Sequence, residues 1–429
     1  MSAARPAVSA ADGALTLGGV PLDRALEALR ALEPGARACW VYDLDQVAER
    51  ARRFLRAFEP LRPLAAYALK ANALPALLER VREAGLGAEA GSLGELTLAA
   101  RAGFEPGRCV LNGNGRTREE AEWAARAGVH SVNADSIEEL DLLERAAADP
   151  AGARPLRVAL RVNPGVETPV HAYVATGHEQ AKFGVAPADA LAAWEGRARW
   201  PHLRLDGVHL HVGSQLLDPE PRERALETAL ALVAESARRG APLGLVNLGG
   251  GFGVDYAGGG HEFPLEAHAT RIAERGRALE VEWVFEPGRW LVAPAGVLVA
   301  EVLWVRRRGG RRFVVLAAGM NDLLRPALYG AVHRIVPVRP RAGPAERATV
   351  AGPVCESADV FAEGIELPPL EPGDRVAILD AGAYGAAMSS NYNGRGRLAE
   401  LVVGGGRLRR ARAGEGPEDL LRSARNDAL

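Results

Sequence analysis

AAYALKANALPALLERVREAGLGAEAGS, residues 65–92, holds one full period of the pattern that decides the fold. An apolar β-type run (AAYALK, 65–70) ends in a lysine, an amphipathic Ala/Leu/Arg/Glu-rich stretch follows, and a second run (LGAEAGS, 86–92) closes it. Runs that are apolar on both faces suit strands buried in a parallel sheet, and a helix between two of them makes a βα unit. The pattern extends over residues 38–290, with further runs CVLNGN (109–114), HSVNADS (130–136), RVALRVN (157–163), DGVHLHVG (206–213), LVNLGGG (245–251) and VEWVFEPG (281–288). Eight such units most simply close into an α/β fold, a (β/α)8 TIM-type barrel, expected over residues 43–295. Barrel chemistry gathers at the carboxyl ends of the strands. Lys70, Ser92, Asn114, Asp135, Asn163, His211, the glycine triplet and Glu286, which end the runs, are therefore expected to converge on one mouth.

Beyond about residue 295 the helical repeat gives way to close-spaced β-type runs such as GVLVAEVLWV (296–305), RFVVLAAG (312–319) and RVAILDAG (375–382). With ALTLGGVPL (14–22) they predict a second, β-rich domain, sandwich- or barrel-like, built from residues 1–42 and 296–429. VRRRGGRRF (305–313) predicts a hairpin with Gly309-Gly310 at its tip and arginines along a solvated edge; it lacks the aromatic partners of a nucleic-acid patch. GPEDLLRSARNDAL at the end reads as a short helix.

Hydrophobic content of 48% with 25% charged residues supports a large core, and a net charge of −2 gives no field favouring nucleic acid or an anionic membrane. The first residues, MSAARPAVSAADG, lack a basic segment leading into an apolar one, and no run of about eighteen uncharged apolar residues occurs, so a soluble protein is expected. Three separated cysteines, Cys39, Cys109 and Cys355, argue for a reducing cytoplasm and against a disulfide framework.

Of 52 basic residues, 50 are arginine; Lys70 and Lys182 are the two lysines. Lysine can do what guanidinium cannot, which is to act as a nucleophile toward an aldehyde once burial lowers its pKa. At a strand end Lys70 is expected to be partly desolvated in this way. His209 and His211 share one face of their run and read as core histidines or as a metal pair, but no carboxylate or histidine set completes a metal site. LGGGFGVDY departs from G-x-G-x-x-G, so it suits one phosphate at the start of the next helix, or a plain turn, better than a dinucleotide. FEPGRW adds Glu286 and Arg289, an ordinary ion pair or part of the site. Together these parts describe a pyridoxal-phosphate site. The amine meets the aldehyde, the glycines and Ser214 the phosphate, an imidazole the ring face, and a carboxylate the pyridine nitrogen, which makes the ring an electron sink for loss of CO2.

On YALKAN (67–72), HVGSQ, GGGFG, EPGR, GMNDLLRPALYG (319–330), GPVCES (352–357) and GAYGAAMSSNYN (382–393), the chain resembles the group IV decarboxylases of the alanine-racemase fold. Within them it resembles the diaminopimelate decarboxylases over almost its whole length. The resemblance implies Lys70, Cys355 and His211 as catalytic residues, with Lys70 joined to the cofactor's aldehyde and His211 stacked on its ring. It implies that Ser214, Gly249, Gly250, Gly251, Gly288, Arg289 and Tyr384 serve the phosphate side and Glu286 the ring nitrogen. It also implies a homodimer in which Cys355 and Glu356 enter the partner's active site, and an ion pair between Lys182 and Asp359 across the subunit boundary.

Arg325, Tyr329 and Arg289 suit a distal carboxylate and Glu356 a distal ammonium, with Tyr384 beside them. That far end is amino-acid-like, and it points to meso-2,6-diaminopimelate losing CO2 to give L-lysine. Ala317 stands where an aspartate commonly precedes AGMND, and Ala73-Leu74 replace Ser-Asn after KAN; neither position carries chemistry. The alternatives are a related decarboxylase of D-lysine, D-ornithine or L-ornithine, a catalytically silent partner-binding homologue, and a metal-dependent hydrolase.

Overall fold

Each of the eight apolar runs forms a strand: Leu64–Ala68, Gly87–Ala90, Cys109–Leu111, Ser131–Ala134, Leu156–Arg161, Leu203–His209, Leu245–Asn247 and Glu282–Phe285. Neighbours pair in parallel and the first strand closes on the eighth through Leu64↔Val284 and Ala65↔Phe285, which makes the expected closed barrel. The computed structural model describes residues 8–11, 13–148, 155–165 and 183–422.

Leu64, Ala66, Val110, Ala159, Leu245 and Val284 form a buried cluster that packs the barrel interior. Helices begin where the sequence supplies caps. Ser92 accepts from the Glu95 amide to start Leu93–Arg101, Thr117 and Glu120 form a capping box before Arg118–Ala127, and Ser136 caps Ile137–Ala147. Ser92, just past the second strand, spends its hydroxyl as a helix cap. An aromatic wedge of Phe54, Phe58, Phe252, Phe285 and Trp290 packs with centroids 4.3–6.3 Å apart. Phe252 follows the glycine triplet, while Phe285 and Trp290 flank EPGR, so the wedge fixes both loops. Each aromatic pair contributes about 0.5–1.5 kcal/mol beyond its buried area.

Two compact units divide the chain. One comprises Ala48–Asp255 and Gly260–Trp290; the other comprises Met1–Val47, Tyr256–Gly259 and Leu291–Leu429. The second unit is β-rich. A nine-stranded sheet is centred on the long strand Gly296–Arg308, which pairs with Ala38–Asp43, Arg311–Leu316 and Arg375–Ile378. A three-stranded sheet of Val8–Ala11, Ala14–Leu17 and Val20–Pro21 precedes the helix Leu22–Leu32. The arginine hairpin forms with Arg308 opposite Arg311, and its tip residues Gly309 and Gly310 both take positive φ, 56° and 76°, as a tight two-residue turn requires. The terminal helix is a 3-10 turn over Asp419–Leu421; residues 423–429 lie outside the described residues.

Candidate active site

Lys70 sits in a 3-10 turn, Leu69–Ala71, just past the first barrel strand. Its Nζ lies 3.2 and 3.1 Å from the two oxygens of Glu89, a carboxylate on the second strand that is fully buried. The Lys70 side chain itself is 51% exposed. The amine is thus about half open to solvent and faces a buried carboxylate. From Glu89 a bonded chain runs across the mouth. The Asn112 amide donates to Glu89 at 2.8 Å and to Glu286 Oε1 at 3.0 Å. The Asn133 amide donates to Asn112 at 2.7 Å and to the same Glu286 oxygen at 3.0 Å, and the Asn247 amide adds a third bond at 2.7 Å.

Glu286 is thus held by three amides on one oxygen, with His209 Nε2 3.6 Å from the other. Burial pushes its carboxyl up, but the fields of His209 and Lys70 outweigh that and hold it well below the usual carboxylate range. The carboxylate is charged at neutral pH. His211 is the converse case: burial, then the charges of Arg161 and Lys70, push its imidazole well below the usual range, so it is neutral. Its Nδ1 accepts the Gly250 amide at 3.2 Å.

The glycine triplet needs glycine twice over. Gly249 and Gly251 have φ of 59° and 100°, and a Cβ at Gly250 would overlap the Glu286 carbonyl oxygen while one at Gly251 would overlap the Gly213 carbonyl. The Gly249 amide donates to Asn247 Oδ1 at 2.9 Å and that of Gly250 to His211, whereas the Gly251 amide meets no acceptor among the described residues. The next helix begins only at Leu265, so any anion here meets loop amides and not the expected helix start. Ser214 Oγ accepts from Arg289 Nη2 at 3.0 Å, and a Cβ at Gly288 would stand 3.0 Å from that of Ala68.

Lys70, His211, Ser214, Gly249, Gly250, Gly251, Glu286, Gly288 and Arg289 thus gather at the carboxyl ends of the barrel strands. Asp135 enters through its ion pair with Arg161 at 3.1 Å, whereas Asn163 caps its own loop at the Gly165 amide and Asn114 is exposed. Glu89, Asn112, Asn133 and Asn247 escaped the sequence reading, although each is a lone polar residue inside or directly after an apolar strand, where burial demands a partner.

The remaining predicted residues belong to the β-rich unit. Arg325 is 4% exposed and opens the short helix Arg325–Tyr329; its Nη1 donates to His333 Nε2 at 2.7 Å and its guanidinium lies 4.4 Å over Tyr256. The exposed Cys355 has its amide bonded to Asn393 Oδ1 at 2.9 Å, and Glu356, also exposed, accepts from the Ser357 amide. Tyr384 is half-buried at φ 56°. Asp359 accepts from the amides of Met320 and Val354 at 2.6 and 2.7 Å; Lys182, its expected partner, lies outside the described residues.

Residues 44–293 match the family described as pyridoxal-dependent decarboxylase, pyridoxal binding domain. The chain is 39% identical over 388 residues to a diaminopimelate decarboxylase of Zymomonas mobilis, covering 90% of this chain and 91% of that one. The chain belongs to the pyridoxal-dependent decarboxylases. Among solved structures it is similar to the diaminopimelate decarboxylase of Helicobacter pylori complexed with L-lysine (TM-score 0.86, 35% identity, 92% of this chain and 98% of that one). It is likewise similar to that of M. jannaschii in complex with L-lysine (TM-score 0.89, 32% identity, 98% of each).

The cofactor of these decarboxylases is pyridoxal 5′-phosphate, and the donor set fits it. The site offers an accessible primary amine, a glycine loop that any Cβ would fill, a hydroxyl and guanidinium beside that loop, and a buried carboxylate held in its charged form. Among the described residues no cluster of three His, Cys, Asp or Glu side chains could hold a metal ion, and no helix is long and apolar enough to cross a membrane.

Proposed function

We propose that the chain decarboxylates meso-2,6-diaminopimelate at its D-centre, giving L-lysine and CO2. The observation that carries this reading is the likeness, over nine tenths of the chain, to proteins named for that activity, two of them solved with L-lysine bound. Lys70 would hold the cofactor at its aldehyde, His211 one ring face and Glu286 the pyridine nitrogen. The glycine loop, Ser214, Gly288, Arg289 and Tyr384 would hold the phosphate side. When bound, pyridoxal phosphate supplies a conjugated ring that takes up the electron pair left on carbon as CO2 departs.

The chain's residues set the conditions for that loss. Glu286, charged and buried, would keep a proton on the ring nitrogen. His211, neutral and already bonded through Nδ1, presents a flat face without adding a competing charge. Cys355 would return a proton to the carbon that lost CO2, and Arg325, Tyr329 and Arg289 would pair the distal carboxylate while Glu356 pairs the distal ammonium. A homodimer, in which Cys355 and Glu356 reach the partner's site, belongs to the proposal, as does a cytoplasmic location, which three free cysteines favour.

The test is CO2 release by the purified protein on meso-diaminopimelate, D-lysine, D-ornithine and L-ornithine. Highest kcat/KM on diaminopimelate supports the proposal; preference for a substrate without the distal carboxylate refutes it.

A further inference from the structure

Arg222 is 3% exposed, on the inward face of helix Glu220–Arg238. A buried guanidinium is costly unless paired with an acid. Among the described residues no carboxylate forms an ion pair with it. Its Nη1 donates to the Gly250 carbonyl, its Nε donates to His268 Nε2 at 3.2 Å, its plane lies 3.9 Å over Phe252, and its Nη2 has no hydrogen-bond partner among the described residues. Burial, opposed only in part by the field of the Glu286 carboxylate, pushes it down to about 9, so it is still charged at neutral pH. His268 brings no compensating charge: burial, then the charges of Arg222 and Arg271, push it down to about 2. A neutral ring accepting at Nε2 carries its proton on Nδ1, which faces Glu223 at 3.8 Å.

The contact with Gly250 has a geometric consequence. The described peptide bonds are trans, so the carbonyl of Gly250 and the amide of Gly251 point in opposite directions within one plane. Arg222 takes the carbonyl on the helix side, and the Gly251 N–H, which meets no acceptor among the described residues, faces away from Arg222. A cation on a carbonyl also polarises the whole peptide and strengthens its N–H as a donor.

We propose that Arg222 is a positioning residue for the phosphate end of the cofactor. Its buried charge is balanced by the phosphate dianion, and its bond to Gly250 turns and polarises the Gly251 N–H toward that anion. The inference rests on the family's cofactor and not on the substrate, so it stands or falls independently of diaminopimelate turnover.

The experiment titrates the apoprotein with pyridoxal 5′-phosphate and, separately, with pyridoxal, for wild type, Arg222→Met, Arg222→Gln and Arg222→Lys, and records the melting temperature of each apoprotein. Loss of the buried cation that orients and polarises the Gly251 donor is expected to weaken the phosphorylated ligand about ten- to a hundredfold in the Met and Gln variants. Pyridoxal affinity should change less than about threefold, and Lys should recover part of the difference. The Met apoprotein should melt no lower than wild type, because an uncompensated charge has left the interior. Gln keeps an N–H for the Gly250 carbonyl, so it serves if Met does not fold. Equal losses for both ligands would assign Arg222 to packing alone, and unchanged phosphate selectivity in Arg222→Gln would overturn the proposal outright.

Discussion

Replacing Glu286 separates what its charge does from what its shape does. Three amide groups, from Asn112, Asn133 and Asn247, converge on one carboxylate oxygen at 2.7–3.0 Å in a region that is 5% exposed or less for Glu286, Asn133 and Asn247. Glu286→Gln can offer its carbonyl oxygen to the same three donors and turn its NH2 toward His209. The three bonds change from charge-assisted, about 1.5–3 kcal/mol each, to neutral ones of about 1 kcal/mol. The substitution also removes the desolvation cost of a buried charge, so the net loss of stability should stay near about 2 kcal/mol or below. Glu286→Ala instead strands the Asn247 amide and takes one acceptor from each of Asn112 and Asn133, which keep Glu89 and Asn112 as partners; at about 1–3 kcal/mol per lost acceptor it should destabilise by more than about 3 kcal/mol. Urea unfolding of both variants measures these differences. For turnover the ranking differs: if the charge holds a proton on the ring nitrogen, Gln should lower kcat by about a hundredfold or more while retaining bound cofactor. Wild-type kcat in Glu286→Gln would refute the role of the charge, and equal destabilisation by Gln and Ala would refute the three-amide cradle.

Lys70→Arg should fold but fail to retain cofactor trapped by borohydride, and peptide mapping of the reduced wild type should place the label on Lys70; label on Lys182 would sink the assignment. Arg325→Ala should lower kcat/KM on diaminopimelate by about tenfold or more, the worth of a charge-assisted bond, with cofactor content little changed; unchanged kcat/KM would remove Arg325 from substrate binding. Glu282 is bonded to His130 at 2.7 Å and ion-paired with Arg157, and its carboxyl is pulled down to about 2, first by the His130 hydrogen bond. A depressed carboxyl contributes stability above its unfolded value, roughly 4.3, and loses it as pH falls toward the folded value. Melting temperature should therefore fall more steeply in wild type than in Glu282→Gln between about pH 4.5 and 2; parallel curves would show that the pair does not stabilise the fold.

The barrel was legible in the sequence because its signal is local. Each βα unit announces itself by an apolar run, a polar terminus and an amphipathic helix, and eight repeats have one simple closure. Lys70 and the glycine triplet were legible for a chemical reason, since an amine and a Cβ-free backbone do what no other residue can. The ring of Glu89, Asn112, Asn133 and Asn247 around Glu286 was not. A polar residue in a buried strand faces either the barrel interior or the helix layer, and the run's apolar pattern does not say which neighbour will meet it. Closure decided that by bringing the second, third, fourth, seventh and eighth strands to one point. Arg222 shows the same limit on a helix: in Glu220–Arg238 it stands among other arginines and glutamates, and only the packing of that helix against Phe252 and the Gly250 carbonyl separates a buried cation from solvated ones. Local periodicity fixes which elements form, whereas partners far apart along the chain, and the burial that gives their charges weight, arise only when those elements close on one another.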